Sequence, residues 1–203
     1  LSNLPGMAYR CKYDPNWTML FVSDGCEDLT GYESSDLCEN SQVTYSELIN
    51  PEYRDYLWER WKDAISAKTI LKEEYEIKTA SGESKWVFEQ GQPIFDEEGN
   101  VEALEGLIVD ITDRKRKEEE ILYLNNHDYL TGIYNRQFLE TEKSKLDRED
   151  CLPLSILIGD INGLKLVNDA FGHMQGDRLI QKTAEIIKGC CRENDIVART
   201  GGD

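Results

Sequence analysis

Hydrophobic and polar positions between residues 8 and 111 fall into strand-like runs, then helix-like spacing, then strand-like runs again, with turn residues between them. Two early strands are expected at 8–13 and 19–23, joined as a hairpin across the turn-rich Asp14-Pro15-Asn16. Residues 24–30, 34–39 and 53–67 carry helical spacing. In the last of these Tyr53, Leu57, Trp61 and Ile65 stand four apart on one face, which should lie against a sheet. Three longer strands are expected at 71–79, 84–95 and 101–111, broken by Ser81-Gly82 and by Glu97-Glu98-Gly99-Asn100 into a meander. Strands, small helices and strands again make an α+β domain over residues 1–112.

A charged stretch, Arg114-Lys115-Arg116-Lys117-Glu118-Glu119-Glu120, then predicts a linker helix over 113–125, with Thr112 or Asp113 placed to cap it. Its early basic residues oppose the helix dipole, so local propensity alone does not hold it. Ile121 and Leu124, with Leu122 or Tyr123 beside them, can form a short seam against a second copy; a solvated linker helix is the equal alternative. In the second half, 126–203, the apolar run at 154–158 reads as a buried strand that delivers Asp160 to its C-terminal end, with 196–199 as its local partner.

Charge narrows the partners. Acidic residues outnumber basic ones by 40 to 23, a formal charge of -17, so a broad nucleic-acid or anionic-membrane surface meets repulsion along most of the chain. A small anion in a closed site is still compatible, because local amides, one lysine and a metal ion outweigh a distant field. The longest apolar stretches, 104–111 and 152–158, fall far short of the roughly 20 residues a membrane helix needs. The first six residues lack the basic and apolar regions of a secretory signal, so a cytoplasmic segment without membrane contact is expected. Cys11, Cys26, Cys38, Cys151, Cys190 and Cys191 form no CxxC, which is reduced usage. No histidine precedes His127, so no histidine-ligated haem is expected in the first half. Tyr45, Trp58, Trp61, Tyr75, Trp86 and Phe88 either line a ligand cavity there or are plain core, and the ligand stays unnamed.

The segment from Asn3 to Arg10, Phe21-Val22-Ser23 before Leu29-Thr30-Gly31-Tyr32, and the closing Asp110-Ile111-Thr112 resemble PAS domains of bacterial signalling proteins over residues 1–112. A flavin-adduct photosensor of that family would need an Asn-Cys-Arg context, which Cys11, Cys26 and Cys38 lack. The second half carries six blocks in the order of GGDEF diguanylate cyclase domains. They open with Asn126-His127-Asp128-Tyr129-Leu130-Thr131-Gly132 and Asn135-Arg136, continue with Gly159-Asp160-Ile161-Asn162-Gly163-Leu164-Lys165, Val167-Asn168-Asp169, Phe171-Gly172-His173 and Gly176-Asp177, and close with Ala198-Arg199-Thr200-Gly201-Gly202-Asp203.

That resemblance implies a Mg²⁺ (or Mn²⁺) held by Asp160, the Ile161 carbonyl and Asp203, since Mg²⁺ takes one or two carboxylates with water and phosphate oxygens. The turn Asn162-Gly163-Leu164-Lys165 leads into a helix, so its amides can point at a triphosphate, with Lys165 adding a point charge. Asn168 and Asp177 match the family's guanine readers; alone, each also suits a cap or turn. Asn162 stands where the commoner pattern has a second aspartate, and Gly163-Leu164 where it has an aromatic pair. Arg192 and Asp195 form an RxxD placed as in the family's product-inhibition site, or a surface turn. His173 is assigned no chemical role. The implied activity is condensation of two GTP to cyclic di-GMP by a homodimer under PAS control. The rivals are a non-catalytic GTP or cyclic di-GMP binding module and a PAS dimerisation module with an incomplete passenger. Because the sequence stops inside the Gly-Gly-Asp block, this chain alone is expected to be inactive.

Overall fold

The computed structural model describes residues 6–146 and 153–202, in two compact units, Leu1–Arg116 and Lys117–Asp203. In the first, β1 (Met7–Cys11) and β2 (Met19–Val22) are followed by helices α1 (Gly25–Thr30), α2 (Ser34–Leu37), α3 (Tyr45–Leu48) and α4 (Pro51–Ala67). Strands β3 (Leu71–Lys78), β4 (Ser84–Phe95) and β5 (Val101–Asp110) complete a five-stranded antiparallel sheet in the order β2-β1-β5-β4-β3. The expected hairpin and meander are thus both present, and β1 closes the sheet against β5.

Alternation sets the inner face. Met7, Tyr9 and Cys11 of β1 are buried and sit opposite Ile108, Gly106 and Leu104 of β5. Against that face lie Leu29, Leu37, Leu48, Leu57 and Trp61 of the helices, all buried. Each such side chain contributes about 1.5–3 kcal/mol relative to exposure. Helix α4 starts where Asn50 accepts the Glu52 N–H at 3.4 Å ahead of Pro51, and ends at Lys68, whose φ is 53°. Helix α3 has no counterpart in the sequence reading, because four residues are too few to show a period. Its signal is a capping box: Thr44 N–H donates to Glu47 at 2.8 Å, and Glu47 N–H to the Thr44 hydroxyl at 3.2 Å.

Helix α5 (Thr112–Asn126) carries the boundary between the units. Thr112 is its first residue rather than a cap; its hydroxyl accepts from Trp86 N–H at 3.0 Å, while Asp110 accepts the Thr112 N–H at 2.9 Å. None of its residues is buried, and Ile121, Leu122, Tyr123 and Leu124 are all more than half exposed.

The second unit contains β6 (Tyr134–Asn135), α6 (Arg136–Leu146), α7 (Leu164–Phe171), α8 (His173–Cys190) and β7 (Ala198–Arg199). Two expectations are corrected here. Residues 154–158 form no strand: Leu157 and Ile158 are 97% and 93% exposed. The segment 198–199 pairs instead with β6, in parallel, as Tyr134 with Ala198 and Asn135 with Arg199. A strand must hand its N–H and C=O groups to neighbours; among the described residues β6 pairs with β7 and, through Tyr134, bridges His127, and neither strand reaches 154–158. Cys11, Cys26, Cys38, Cys190 and Cys191 are free thiols.

Candidate functional site

Of the predicted site residues in the second unit, Asn162 to Lys165, Asn168 and Asp177 lie on or next to α7 and α8. Gly163, with φ 82°, makes the left-handed step that starts α7 at Leu164. Leu164 is buried and anchors the turn, while Lys165 projects from the first turn into solvent. As expected, the turn Asn162-Gly163 therefore presents a helix N-terminus whose first amides have no partner within the helix. Asp160 is exposed and Ile161 half-buried, both in the irregular stretch before the turn. Asp203 lies outside the described residues. Among the described residues no three carboxylate, imidazole or thiol groups converge as a metal-binding set.

Gly172, with φ 85°, ends α7 by donating to the Asn168 carbonyl at 2.9 Å, and α8 begins at the next residue. The reversal presses Asn168 against Gly176. A Cβ on Gly176 would overlap the Asn168 carboxamide, with Cγ at 2.8 Å, so glycine is what permits the approach. Asn168 of α7 thus packs against Gly176 of α8, the residue that precedes Asp177 in the sequence. The Asn168 Oδ1 is buried without a hydrogen-bond partner among the described residues, while Asp177 is exposed. An orphaned buried amide is a group that a ligand edge can satisfy. His173 is exposed at the start of α8.

The RxxD forms a local turn. Asp195 accepts the backbone N–H of Arg192 at 2.8 Å and returns its own N–H to the Arg192 carbonyl at 3.0 Å; both side chains are exposed. The sequence reading assigned no role to Asp128 or Arg199 individually, yet they form the most buried ion pair of this unit among the described residues. Arg199 Nη1 reaches the two Asp128 oxygens at 3.1 and 3.2 Å, and Nη2 donates to the Gly202 carbonyl at 2.6 Å. Thr131 adds its N–H at 3.0 Å and its hydroxyl at 2.6 Å to the same carboxylate. Burial pushes Asp128 upward, but the bonds from Thr131 and Arg199 outweigh it and hold the carboxyl below its ordinary range. The pair fastens the opening loop to the strand that leads into Gly201-Gly202.

In the first unit the aromatic residues are mostly core, around one small cavity. Tyr45 and Trp61 line it, together with Tyr9, Trp17 and Glu89, and its volume is about 10 Å³. Trp58 instead stacks on Tyr13 at 4.7 Å, and Trp86 meets Tyr53 edge-on at 5.9 Å. Glu89 is the residue that the sequence reading missed. Its signal was a carboxylate between Val87 and Gly91, at a strand position whose parity points inward.

The comparisons agree with this division. A family model of the PAS fold matches residues 19–108, and one described as diguanylate cyclase, GGDEF domain, matches residues 125–203. The uncharacterized protein y4lL of Sinorhizobium fredii is 34% identical over 165 residues, 76% of this chain and 20% of that protein. The diguanylate cyclase DgcM of Escherichia coli is 35% identical over 100 residues, 48% of this chain and 24% of DgcM. The cyclic di-GMP phosphodiesterase PdeR of Escherichia coli is 33% identical over 95 residues, 46% of this chain and 14% of PdeR. The chain thus spans a quarter or less of the length of these relatives. Among the described residues no helix is long and apolar enough to cross a membrane. With the sheet order of the first unit and the six sequence blocks of the second, these matches make the chain a PAS domain followed by a GGDEF domain.

Proposed function

We propose that this chain is the sensor and nucleotide-binding part of a cytoplasmic diguanylate cyclase that condenses two GTP to cyclic di-GMP under PAS control. The observation that supports the reading is the α7–α8 reversal, which packs the Asn168 carboxamide, its Oδ1 unpaired among the described residues, against Gly176, next in sequence to Asp177. A carboxylate accepts from guanine N1–H and the 2-amino group, which adenine does not offer in that arrangement, and an amide pairs on another edge. GTP is therefore preferred to ATP. The amides that start α7, with Gly163 and Leu164 shaping the turn and Lys165 beside it, face the triphosphate. Two copies, associated through the PAS domain and the exposed apolar residues of α5, present one GTP each. Each 3'-oxygen bonds to the partner's α-phosphorus, its proton leaves to solvent, and pyrophosphate departs; two such steps close the ring.

Asp160, the Ile161 carbonyl and Asp203 are an all-oxygen donor set of the kind Mg²⁺ or Mn²⁺ accepts. A bound ion would offset phosphate charge and favour ionisation of the hydroxyl. We assign product inhibition to Arg192 and Asp195, because an arginine can fork onto a phosphate and an aspartate can accept from guanine. The 203-residue chain by itself should form no cyclic di-GMP, since the stretch that carries Asp160 is not held in a sheet. A second reading, nucleotide binding without turnover, draws on the resemblance to PdeR, which is named for the opposite activity. The test is GTP turnover by a longer protein containing this chain, followed by mass spectrometry, with Asp160→Asn and Asp177→Ala variants. Catalysis predicts product that Asp160→Asn abolishes and a guanine preference that Asp177→Ala relaxes. Bound GTP with no product selects the second reading, and wild-type rates in both variants refute the site.

A further inference from the structure

Glu89 occupies the middle of the PAS sheet, on its inner face, and is only 5% exposed. One of its oxygens accepts from the Tyr9 hydroxyl, the other from the Tyr75 hydroxyl at 2.8 Å, and Tyr45 stands 3.1 Å from Tyr75, hydroxyl to hydroxyl. The backbone is shaped to allow this. Tyr9 pairs with Gly106, which pairs with Gly91, so two glycines lie side by side where the Tyr9 ring crosses the sheet toward Glu89. A Cβ on Gly91 would stand 2.6 Å from the Tyr9 hydroxyl and 2.7 Å from Trp61, and one on Gly106 would stand 2.8 Å from the Tyr9 ring. Side chains at those positions would close the path.

Among the described residues Glu89 has no counter-charge. Its cross-strand neighbour Glu73 is compensated by Arg60 at 2.6 Å, with the Tyr56 hydroxyl at 2.8 Å. No lysine, arginine or histidine among the described residues makes an ion pair with Glu89, whereas the more exposed Glu73, Glu74 and Glu105 each have one. An ionised carboxylate in such a place costs several kcal/mol unless a counter-charge joins it. The cavity beside it, about 10 Å³, is lined by Tyr9, Trp17, Tyr45, Trp61 and Glu89 on its polar and aromatic side and by apolar side chains, among them Leu57, on the rest, and has room for one water-sized species. What faces that space is an anion, phenolic oxygens with acceptor capacity, and electron-rich rings. The complement is small, positive and rich in donors. An alkali or alkaline-earth ion fits less well, because it needs about six or more oxygens and the lining offers about half that number. An ammonium group satisfies the carboxylate by charge-assisted hydrogen bonds and the rings by cation–π attraction.

We propose that the cage around Glu89 is a binding site for ammonium, a water-sized cation, with the Glu89 carboxylate as counter-ion. The site lies wholly within the PAS unit and does not rest on the reaction assigned to the GGDEF domain.

The test uses the full 203-residue chain at about pH 8, where an accessible carboxyl is ionised. Thermal unfolding and tryptophan fluorescence are followed while ammonium chloride, methylammonium chloride or sodium chloride is added at matched ionic strength. Ammonium should raise the melting temperature of the PAS unit by several degrees and saturate, and sodium and the larger methylammonium should not. Glu89→Gln, which keeps the shape and removes the charge, should abolish the response, and Tyr45→Phe should weaken it by about tenfold, one lost hydrogen bond to a charged system. If Glu89→Gln does not fold, ¹⁵N-ammonium in the wild type decides, through a bound resonance with cross-peaks to Trp17 or Trp61 ring protons. Equal responses to ammonium and sodium, equal responses in wild type and Glu89→Gln, or no bound ¹⁵N-ammonium signal would overturn the site. A Glu89 carboxyl that titrates with pH alone, untouched by any of the three salts, would overturn it too and assign the cage to a proton.

Discussion

Arg199→Ala removes a guanidinium that holds both oxygens of Asp128, at 3.1 and 3.2 Å, and the Gly202 carbonyl, at 2.6 Å. Both side chains of the pair are 15% exposed, so water would solvate the abandoned carboxylate only in part. Breaking a fully buried pair costs about 3–5 kcal/mol and an exposed one about 0–1. Asp128 keeps two bonds from Thr131, which moves the expected loss to about 2–3 kcal/mol. In a unit of this size that is a fall in melting temperature of roughly 10–15 °C. Arg199→Lys restores the charge but not the fork, so it should recover less than half of the loss. The pH dependence has a definite sign. The folded pKa of Asp128 is depressed, so its contribution is present above the unfolded value of about 3.9 and is lost as pH falls through the folded one. Acidification should therefore narrow the gap between wild type and Arg199→Ala. Urea melts resolved by hydrogen exchange across 128–135 and 197–200 measure all of this. A cost below about 0.5 kcal/mol at neutral pH, or a gap that widens in acid, would show that the pair is a surface contact with no structural weight.

Gly91→Ala should destabilise the PAS unit by about 1–3 kcal/mol in urea melts, because the added methyl meets Tyr9 and Trp61 at 2.6 and 2.7 Å; unchanged stability would mean the rings shift freely. Burial raises the Glu89 carboxyl above its ordinary range, partly offset by bonds from Tyr9 and Tyr75, and Glu73, Cys11, Tyr45 and Trp61 also face or flank it. The folded state then binds more protons, so in the absence of ammonium salts PAS stability should fall as pH rises from about 4.3 through the folded pKa, and Glu89→Gln should flatten that slope. In a longer protein, Arg192→Ala should weaken inhibition by added cyclic di-GMP without lowering the initial rate; superimposable inhibition curves would return the RxxD to a surface turn.

The PAS sheet was legible because each strand carries its own alternation and its own turn residues, so that 71–79, 84–95 and 101–111 announce a meander without help from distant contacts. The run at 154–158 was misread for the opposite reason. A continuous apolar stretch states that it wants burial but does not name a partner, and no described strand supplies one. Asn168 and Asp177 were legible as motif members, yet the packing of Asn168 against α8 depends on Gly172 reversing the chain and on the absent Cβ of Gly176, which are matters of backbone approach. Glu89 was hidden among forty acidic residues. Composition treats it as one more solvated charge; only strand parity sends it inward.

That parity also decides what a change at Glu89 can reach. Three residues back along β4, Trp86 donates its N–H to the Thr112 hydroxyl at 3.0 Å and accepts the Ile111 N–H at 2.9 Å, so the same strand that carries the cage carries the first turn of α5. On the neighbouring strand Tyr75, which bonds Glu89, is preceded by Glu74, which holds Arg114 at 2.6 Å and Lys115 at 2.7 Å. The Lys115 ammonium also lies 4.9 Å from the centre of the Trp86 ring. Two paths of adjacent residues thus leave the carboxylate and meet on one helical turn. Contiguity alone is not coupling, because coupling requires that both ends bias the same two arrangements. The chemistry supplies a reason for two arrangements here: Glu89 with a cation or proton and Glu89 without one differ by a full buried charge, against Tyr9 and Tyr75 hydroxyls whose hydrogen bonds must follow it. The outer ends of both paths are half-exposed ion pairs and a cation–π contact, each worth about 1 kcal/mol or less, so they can give way where the packed core cannot. Were the cage to take up a cation, the strong change would lie in the core and the weak contacts at the start of α5, so the first turn of the helix would give way before the sheet.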